Sequence, residues 1–186
     1  DALLASGRFD GIMIGTRCSL HTPLALKVAP LNTPLFLEKP VSTTFAQVRA
    51  LARSLHRFKA PVVVSFPLRV SPIVDRVKTI LDESSLGPVQ HVVAFNDVPY
   101  GEVYFGGWYR DYTETGGLFL QKATHDFDYL MHLVNSPVRR VAAMSSQRVW
   151  GRRKDKPFGL ACKDCGIRRT CSESPFSGSR SMLTAH

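Results

Sequence analysis

The side chain with the clearest chemical promise is Lys39. It follows Leu35-Phe36-Leu37, an apolar run of β-strand type that breaks off into Glu38, Lys39 and Pro40 before Ser42-Thr43-Thr44 opens a helix. A strand ending this way delivers charged groups to the carboxyl edge of a sheet, where open α/β sheets bind ligands. A lysine there can hold a proton for a substrate hydroxyl or carbonyl once neighbours or partial burial bring its pKa down. Glu38 can tune or orient it. Pro40 fixes the local backbone, and a cis bond before it would aim the lysine differently from an ordinary turn. The competing reading is a surface Glu-Lys pair at the end of a strand.

A second polar set lies far along the chain. Gln121, His125 and Asp128 are spaced i, i+4, i+7, which puts them on one face of a helix expected over 117–134, with Lys122 and Asp126 just beside it. Burying such a face is costly unless its groups meet one another or a polar ligand. Leu118, Phe119, Phe127 and Leu130 flank it and would keep the helix packed; a polar face in water is the plainer alternative. His125 is the natural proton relay, because its unperturbed pKa of about 6.5 lets small shifts change its charge. Asp128 is a candidate to hold its tautomer.

These residues need elements to carry them. Ala2–Ala5 reads as the end of a helix closed by Ser6-Gly7. Gly11-Ile12-Met13-Ile14-Gly15 suits a buried strand, and Thr22-Pro23 reads as the start of the next helix, with threonine as N-cap. Strand 34–37 precedes a helix over 44–56 with apolar residues at helical spacing, and 61–66 reads as a third strand. Strands alternating with helices of this length predict parallel β-α-β winding. Beyond Phe66 the pattern predicts a helix over 71–84, a strand over 89–95, an aromatic, Gly-rich loop over 100–111, the helix over 117–134 and a strand over 138–145. The fold class is therefore α/β: part of a Rossmann-type parallel sheet over 1–67, then an incomplete α/β (α+β) domain over 68–186.

With 186 residues the chain makes one domain, or one and part of another. No apolar run approaches the roughly 18 residues of a membrane span. The opening on Asp1 reads as a start partway through a longer protein. The net charge of +9 is uneven: residues 151–186 hold eight Lys and Arg against three Asp and Glu. An anionic cofactor explains that tail as well as DNA does. A basic nucleic-acid module is the weaker alternative, predicting salt-sensitive binding; neither nucleic acid nor membrane is expected as a partner. Cys162, Cys165 and Cys171 crowd one segment, more like a metal or redox cluster of a reducing, cytoplasmic compartment than a disulfide framework. Three thiols suit a structural zinc site only with a fourth ligand, so free thiols stay open as a reading. Cys18 reads as a small buried residue.

Glu38-Lys39-Pro40 after a buried strand, preceded by Thr16-x-x-x-x-His21 and followed by Gly116-Gly117 and His125-x-x-Asp128, resembles the glucose-fructose oxidoreductase / inositol dehydrogenase family (Gfo/Idh/MocA). The resemblance runs over residues 1–150. It implies a Rossmann domain for NAD or NADP joined to an α/β domain with an open sheet, oxidation or reduction of a sugar or polyol hydroxyl, and a homo-oligomer at full length. Carried over, Lys39 becomes the acid/base or hydroxyl-binding lysine and His125 its partner, with Gln121 and Lys122 beside them. Thr16, Arg17, Ser19, His21 and Pro40 would lie along the cofactor, with Glu38 near the nicotinamide. Trp108, Arg110 and Asp128 would line the sugar pocket, unless the aromatic loop is only a surface cluster. The chain also departs from the family. No G-x-G-x-x-G turn follows a strand, Gln121 stands where the family usually has an aspartate, and Pro67 where many members have asparagine. Gln121 and the missing phosphate turn support the alternative of a non-catalytic binding or regulatory protein that keeps the fold.

Overall fold

The computed structural model describes residues 2–5, 7, 9–83, 87–98, 103–104, 108–146, 162–171, 174 and 176–178. Residues 1–141 form one compact unit and 142–186 another.

In the first unit, helix α1 (Ala2–Ala5) precedes β1 (Ile12–Ile14), and β2 (Leu35–Leu37) and β3 (Val62–Val64) follow. The strands are parallel in the order β1-β2-β3, with Ile14 opposite Leu37 and Leu37 opposite Val64. Being parallel and in register, they end together, so Thr16, Lys39 and Phe66 leave the sheet at one edge. Helices α2 (Cys18–Val28) and α3 (Phe45–Leu55) are the crossovers. The core lies under them: Ile14, Ala25, Val28, Leu35, Leu37 and Leu51 are buried together. The alternate residues Met13 and Val63 point away from it and are exposed.

Helix α2 starts four residues before the expected Thr22. Pro23 lies inside it and leaves the carbonyl of Ser19 without its i+4 donor. Gln47 Nε2 from α3 supplies a substitute at 3.4 Å, so the proline is tolerated. Thr22 is therefore no N-cap; its hydroxyl donates to Val41 O at 2.7 Å. Thr44 does cap α3, its Oγ1 accepting from Gln47 N at 3.2 Å.

Helix α4 (Pro72–Glu83) follows a 3-10 turn over Pro67–Val70. The long helix expected over 117–134 is two helices, α6 (Leu118–Gln121) and α7 (Thr124–Val134), after a single turn, α5 (Tyr112–Thr115). The break has an identifiable cause. In a continuous helix His125 N would donate to Gln121 O; instead it donates to Lys122 O at 3.2 Å, and Gln121 O accepts from Lys39 Nζ at 2.7 Å. Gly116 lets the chain turn here and lie against Thr43. Its φ is +70°, and an added Cβ would lie 2.5 Å from Leu120 Cδ2 and 3.2 Å from Thr43 O.

Residues 89–95 and 138–145, expected as strands, are irregular. A strand exists only where a neighbour completes its ladder, and no described residue pairs with either segment. Phe95 and Met144 are left 90% and 97% exposed. The expected loop over 100–111 is described only at 103–104 and 108–111, and most of the basic tail lies outside the described residues. No helix among the described residues is long and apolar enough to cross a membrane.

Leu37 has no exposed surface and sits on the central strand directly before the Glu38-Lys39 edge. Leu37→Ala is expected to lower unfolding free energy by about 2–5 kcal/mol, read as a fall in the urea midpoint at unchanged slope.

Candidate functional site

The peptide bond between Lys39 and Pro40 is cis. Glu38 Oε2 accepts from Lys39 N at 3.1 Å, while the Lys39 side chain reaches the freed carbonyl of Gln121. Burial lowers the Lys39 pKa and nearby Lys122 adds to that, against the opposing pull of Cys18 and Glu38. The lysine thus gives up its proton more readily than a free one.

His125 lies next in this sequence of groups. Burial lowers its pKa, and the charges of Lys39 and Lys122 lower it further, against Asp126 and Glu38. Phe66 meets the imidazole edge-on, with ring centroids 6.0 Å apart. Asp128 does not hold the imidazole tautomer: both its carboxylate oxygens are taken by Arg69, whose Nε lies 3.1 Å from Oδ2 while Nη2 donates to Oδ1. The i+3 spacing held, but an arginine from the 3-10 turn reached the carboxylate first, in the bidentate geometry guanidinium favours. Lys122 Nζ is 3.9 Å from Asp126 Oδ1, one turn along α7.

On the cofactor side, His21 is buried and faces two backbone carbonyls. Its Nδ1 is 2.8 Å from Pro40 O and its Nε2 3.0 Å from Thr16 O. Both ring nitrogens face backbone carbonyls, so His21 braces the loop that Thr16 opens against the loop that carries Lys39. Thr22 and the buried Ser42 share a hydrogen bond of 2.6 Å just behind it. Ser19 Oγ donates to Glu114 Oε2 on α5. Cys18 is buried, and burial pushes its thiol pKa up despite the Lys39 charge.

Arg17 lies over the Trp108 indole, its Cζ 4.0 Å from the ring centroid. Tyr109 stacks on the same indole at 4.0 Å. Trp108, half-buried, is thus in contact with both Arg17 and Tyr109. Arg110 is exposed at the end of the Trp108–Arg110 turn. The side chains not foreseen are Arg69 and Glu114. Glu114 follows the N-cap Asp111 by three residues, a spacing that marks a helix start, but its carboxylate turns to Ser19.

In the second unit, Cys162, Cys165 and Cys171 are free thiols. No three His, Cys, Asp or Glu side chains among the described residues converge to hold a metal ion, so the zinc expectation finds no support.

A dinucleotide's nicotinamide end fits the residues at the sheet edge. Gln121 Oε1 and His125 Nδ1 are buried without a hydrogen-bond partner, and such atoms cost about 1–3 kcal/mol each unless something meets them. At Gly15, where β1 ends, an added Cβ would meet only Glu38 Cγ, at 3.9 Å, leaving that backbone open to a flat ring.

The oxidoreductase family with an NAD-binding Rossmann fold (GFO/IDH/MocA) matches residues 1–66, and the GFO/IDH/MocA C-terminal domain matches 74–163. Among relatives, an inositol 2-dehydrogenase of Rhizobium meliloti is 27% identical over 162 residues, covering 87% of this chain and 46% of the relative. A scyllo-inositol 2-dehydrogenase (NAD(+)) of Bacillus subtilis is 22% identical over 141 residues, with 72% and 37% covered. Among solved structures, myo-inositol 2-dehydrogenase from Lactobacillus plantarum superposes with a TM-score of 0.63 at 19% identity, covering 72% of this chain and 40% of that one. The WlbA dehydrogenase from Bordetella pertussis, in complex with NADH and UDP-GlcNAcA, gives 0.60 at 24%, with 72% and 39% covered. The chain spans less than half the length of the curated relatives it matches.

His21→Ala leaves the carbonyls of Thr16 and Pro40 without the imidazole. It is expected to destabilise the protein by about 1–3 kcal/mol, measured as a lower urea midpoint.

Proposed function

Because the chain belongs to the Gfo/Idh/MocA oxidoreductase family, we propose that it is part of an NAD(P)-dependent dehydrogenase acting on a hydroxyl of a sugar or cyclic polyol. The observation that carries this reading is the half-buried Lys39 amine, its proton affinity lowered, beside two buried polar atoms that have no hydrogen-bond partner among the described residues.

The nicotinamide, when bound, supplies the two-electron chemistry, accepting or returning hydride at the substrate carbon. Lys39 handles the accompanying proton. In the oxidising direction its neutral amine accepts the hydroxyl proton, and the resulting ammonium keeps its hydrogen bond to Gln121 O and the nearby charge of Glu38. In the reducing direction the ammonium returns the proton to the carbonyl oxygen. His125 stays neutral at pH 7, because its pKa lies below the ordinary imidazole range. It is thus able to pass a proton between lysine and solvent without adding a standing positive charge. Gln121 Oε1 accepts from a further substrate hydroxyl, which suits a polyol better than a simple alcohol. Thr16, Glu38 and Pro40 line the nicotinamide end.

A second reading keeps the fold without turnover. Gln121 favours it, since an amide cannot exchange a proton as a carboxylate does. Absorbance of NAD(P)H at 340 nm, followed with inositols and aldoses, separates the two readings. Cofactor binding with no turnover on any polyol would favour the second.

Lys39→Met is expected to lower kcat/KM by about 10²–10⁴-fold with the fold retained by circular dichroism. Oxidation should rise with pH as the lysine loses its proton, at a pH below the ordinary lysine value. It should fall at acid pH once His125 takes up a proton beside Lys39 and Lys122. A pH profile of kcat/KM checks both limbs, and Lys39→Met should remove the lysine limb alone.

A further inference from the structure

The stretch Thr16 to Ser19, a loop end and the first residues of α2, and the segment 108–115 are joined twice, by groups of different chemistry. Arg17 covers one face of Trp108 at 4.0 Å, and Ser19 Oγ donates to the carboxylate of Glu114. Tyr109 stacks on the same indole at 4.0 Å, so Trp108 has a contact within its own segment as well as one to Arg17. Thr115, buried one residue after Glu114, ties the same segment to itself through Tyr109 O at 3.3 Å and Asp111 O at 3.0 Å. These bonds tie Tyr109, Asp111 and Thr115 together, and Arg17 and Ser19 join the segment to the start of α2.

We propose that Arg17 and Glu114 are positioning residues that latch segment 108–115 onto the Thr16–Ser19 stretch, so that a dinucleotide on that stretch and the order of the segment are linked. The proposal rests on the reading that Thr16–Ser19 border the cofactor. A guanidinium on an indole face is a weak, geometry-dependent contact, and a hydroxyl donating to a carboxylate is a stronger one. A ligand that draws the stretch toward itself changes both contacts at once. By linkage, whatever orders the segment then tightens the dinucleotide by the same factor.

The indole reports on the latch directly. With Trp150→Phe, Trp108 is the one indole of the chain, and acrylamide quenching of its emission measures how well its faces are covered. Arg17→Ala should raise the quenching constant about two- to threefold, with the loss of a cation–π contact of modest strength. Arg17→Lys, which keeps the charge without the flat guanidinium, should fall between. Glu114→Ala should raise it too. NADH is the probe, its binding followed by its own fluorescence. It should lower the quenching constant of the protein that retains Arg17 and Glu114, and leave the Arg17→Ala/Glu114→Ala protein unmoved. Quenching unchanged by Arg17→Ala would overturn the latch. NADH that binds without altering the quenching of Trp108 would overturn the linkage. NADH that fails to bind while Arg17→Ala still raises quenching would overturn the cofactor reading, and the linkage with it.

Discussion

One carbonyl decides the layout of the site. Gln121 O belongs by position to a helix running on through His125, yet it accepts from Lys39 Nζ at 2.7 Å. The helix is interrupted there, and His125 N falls back on Lys122 O. A lysine from the end of the central strand is thereby tied to the same turn that carries the two unpartnered polar atoms. The same substitution of partners occurs at Pro23, where a carbonyl deprived of its helical donor is satisfied by Gln47. In both places an irregular helix exists because another element supplies the missing hydrogen bond.

The charges around Lys39 follow from that arrangement. Removing an ammonium from water disfavours it, and Lys122 disfavours it further, while Glu38 offsets part of the effect. Had Asp128 faced His125 the balance would differ, because a carboxylate at the imidazole stabilises its charged form. Arg69 takes that carboxylate away, and around His125 burial and the charges of Lys39 and Lys122 outweigh those of Asp126 and Glu38. The site therefore favours neutral bases over charged acids.

The parallel β-α-β half was legible because each signal there is local. Leu35-Phe36-Leu37 is a short apolar run, Thr44 is an N-cap followed by residues at helical spacing, and Val62 to Val64 are β-branched. Those signals fail where the deciding partner is remote in sequence. Thr22-Pro23 has the look of a helix start, and only Gln47, on the next helix, lets the helix begin earlier. His125 and Asp128 do share one helix, but Gln121 ends the helix before it, its carbonyl taken by Lys39, 82 positions earlier, and Arg69 claimed the aspartate. Residues 89–95 and 138–145 have strand composition without a described ladder partner, and composition alone does not make a sheet. His21 was visible as a spaced histidine, but nothing in the spacing said that both its nitrogens would face backbone carbonyls.

The hydrogen bonds of Ser19 extend further than one contact. Its hydroxyl meets Glu114, and its carbonyl meets Gln47 Nε2; Gln47 Oε1 in turn accepts from Thr43 N at 2.8 Å and Thr43 Oγ1 at 3.0 Å. The carbonyl of Thr43 lies against Gly116, which follows Glu114 by two residues. The chain of contacts returns to its starting point. The circuit knots together the first residues of α2, the N-cap region of α3 and the chain from Glu114 to Gly116, three stretches far apart in sequence.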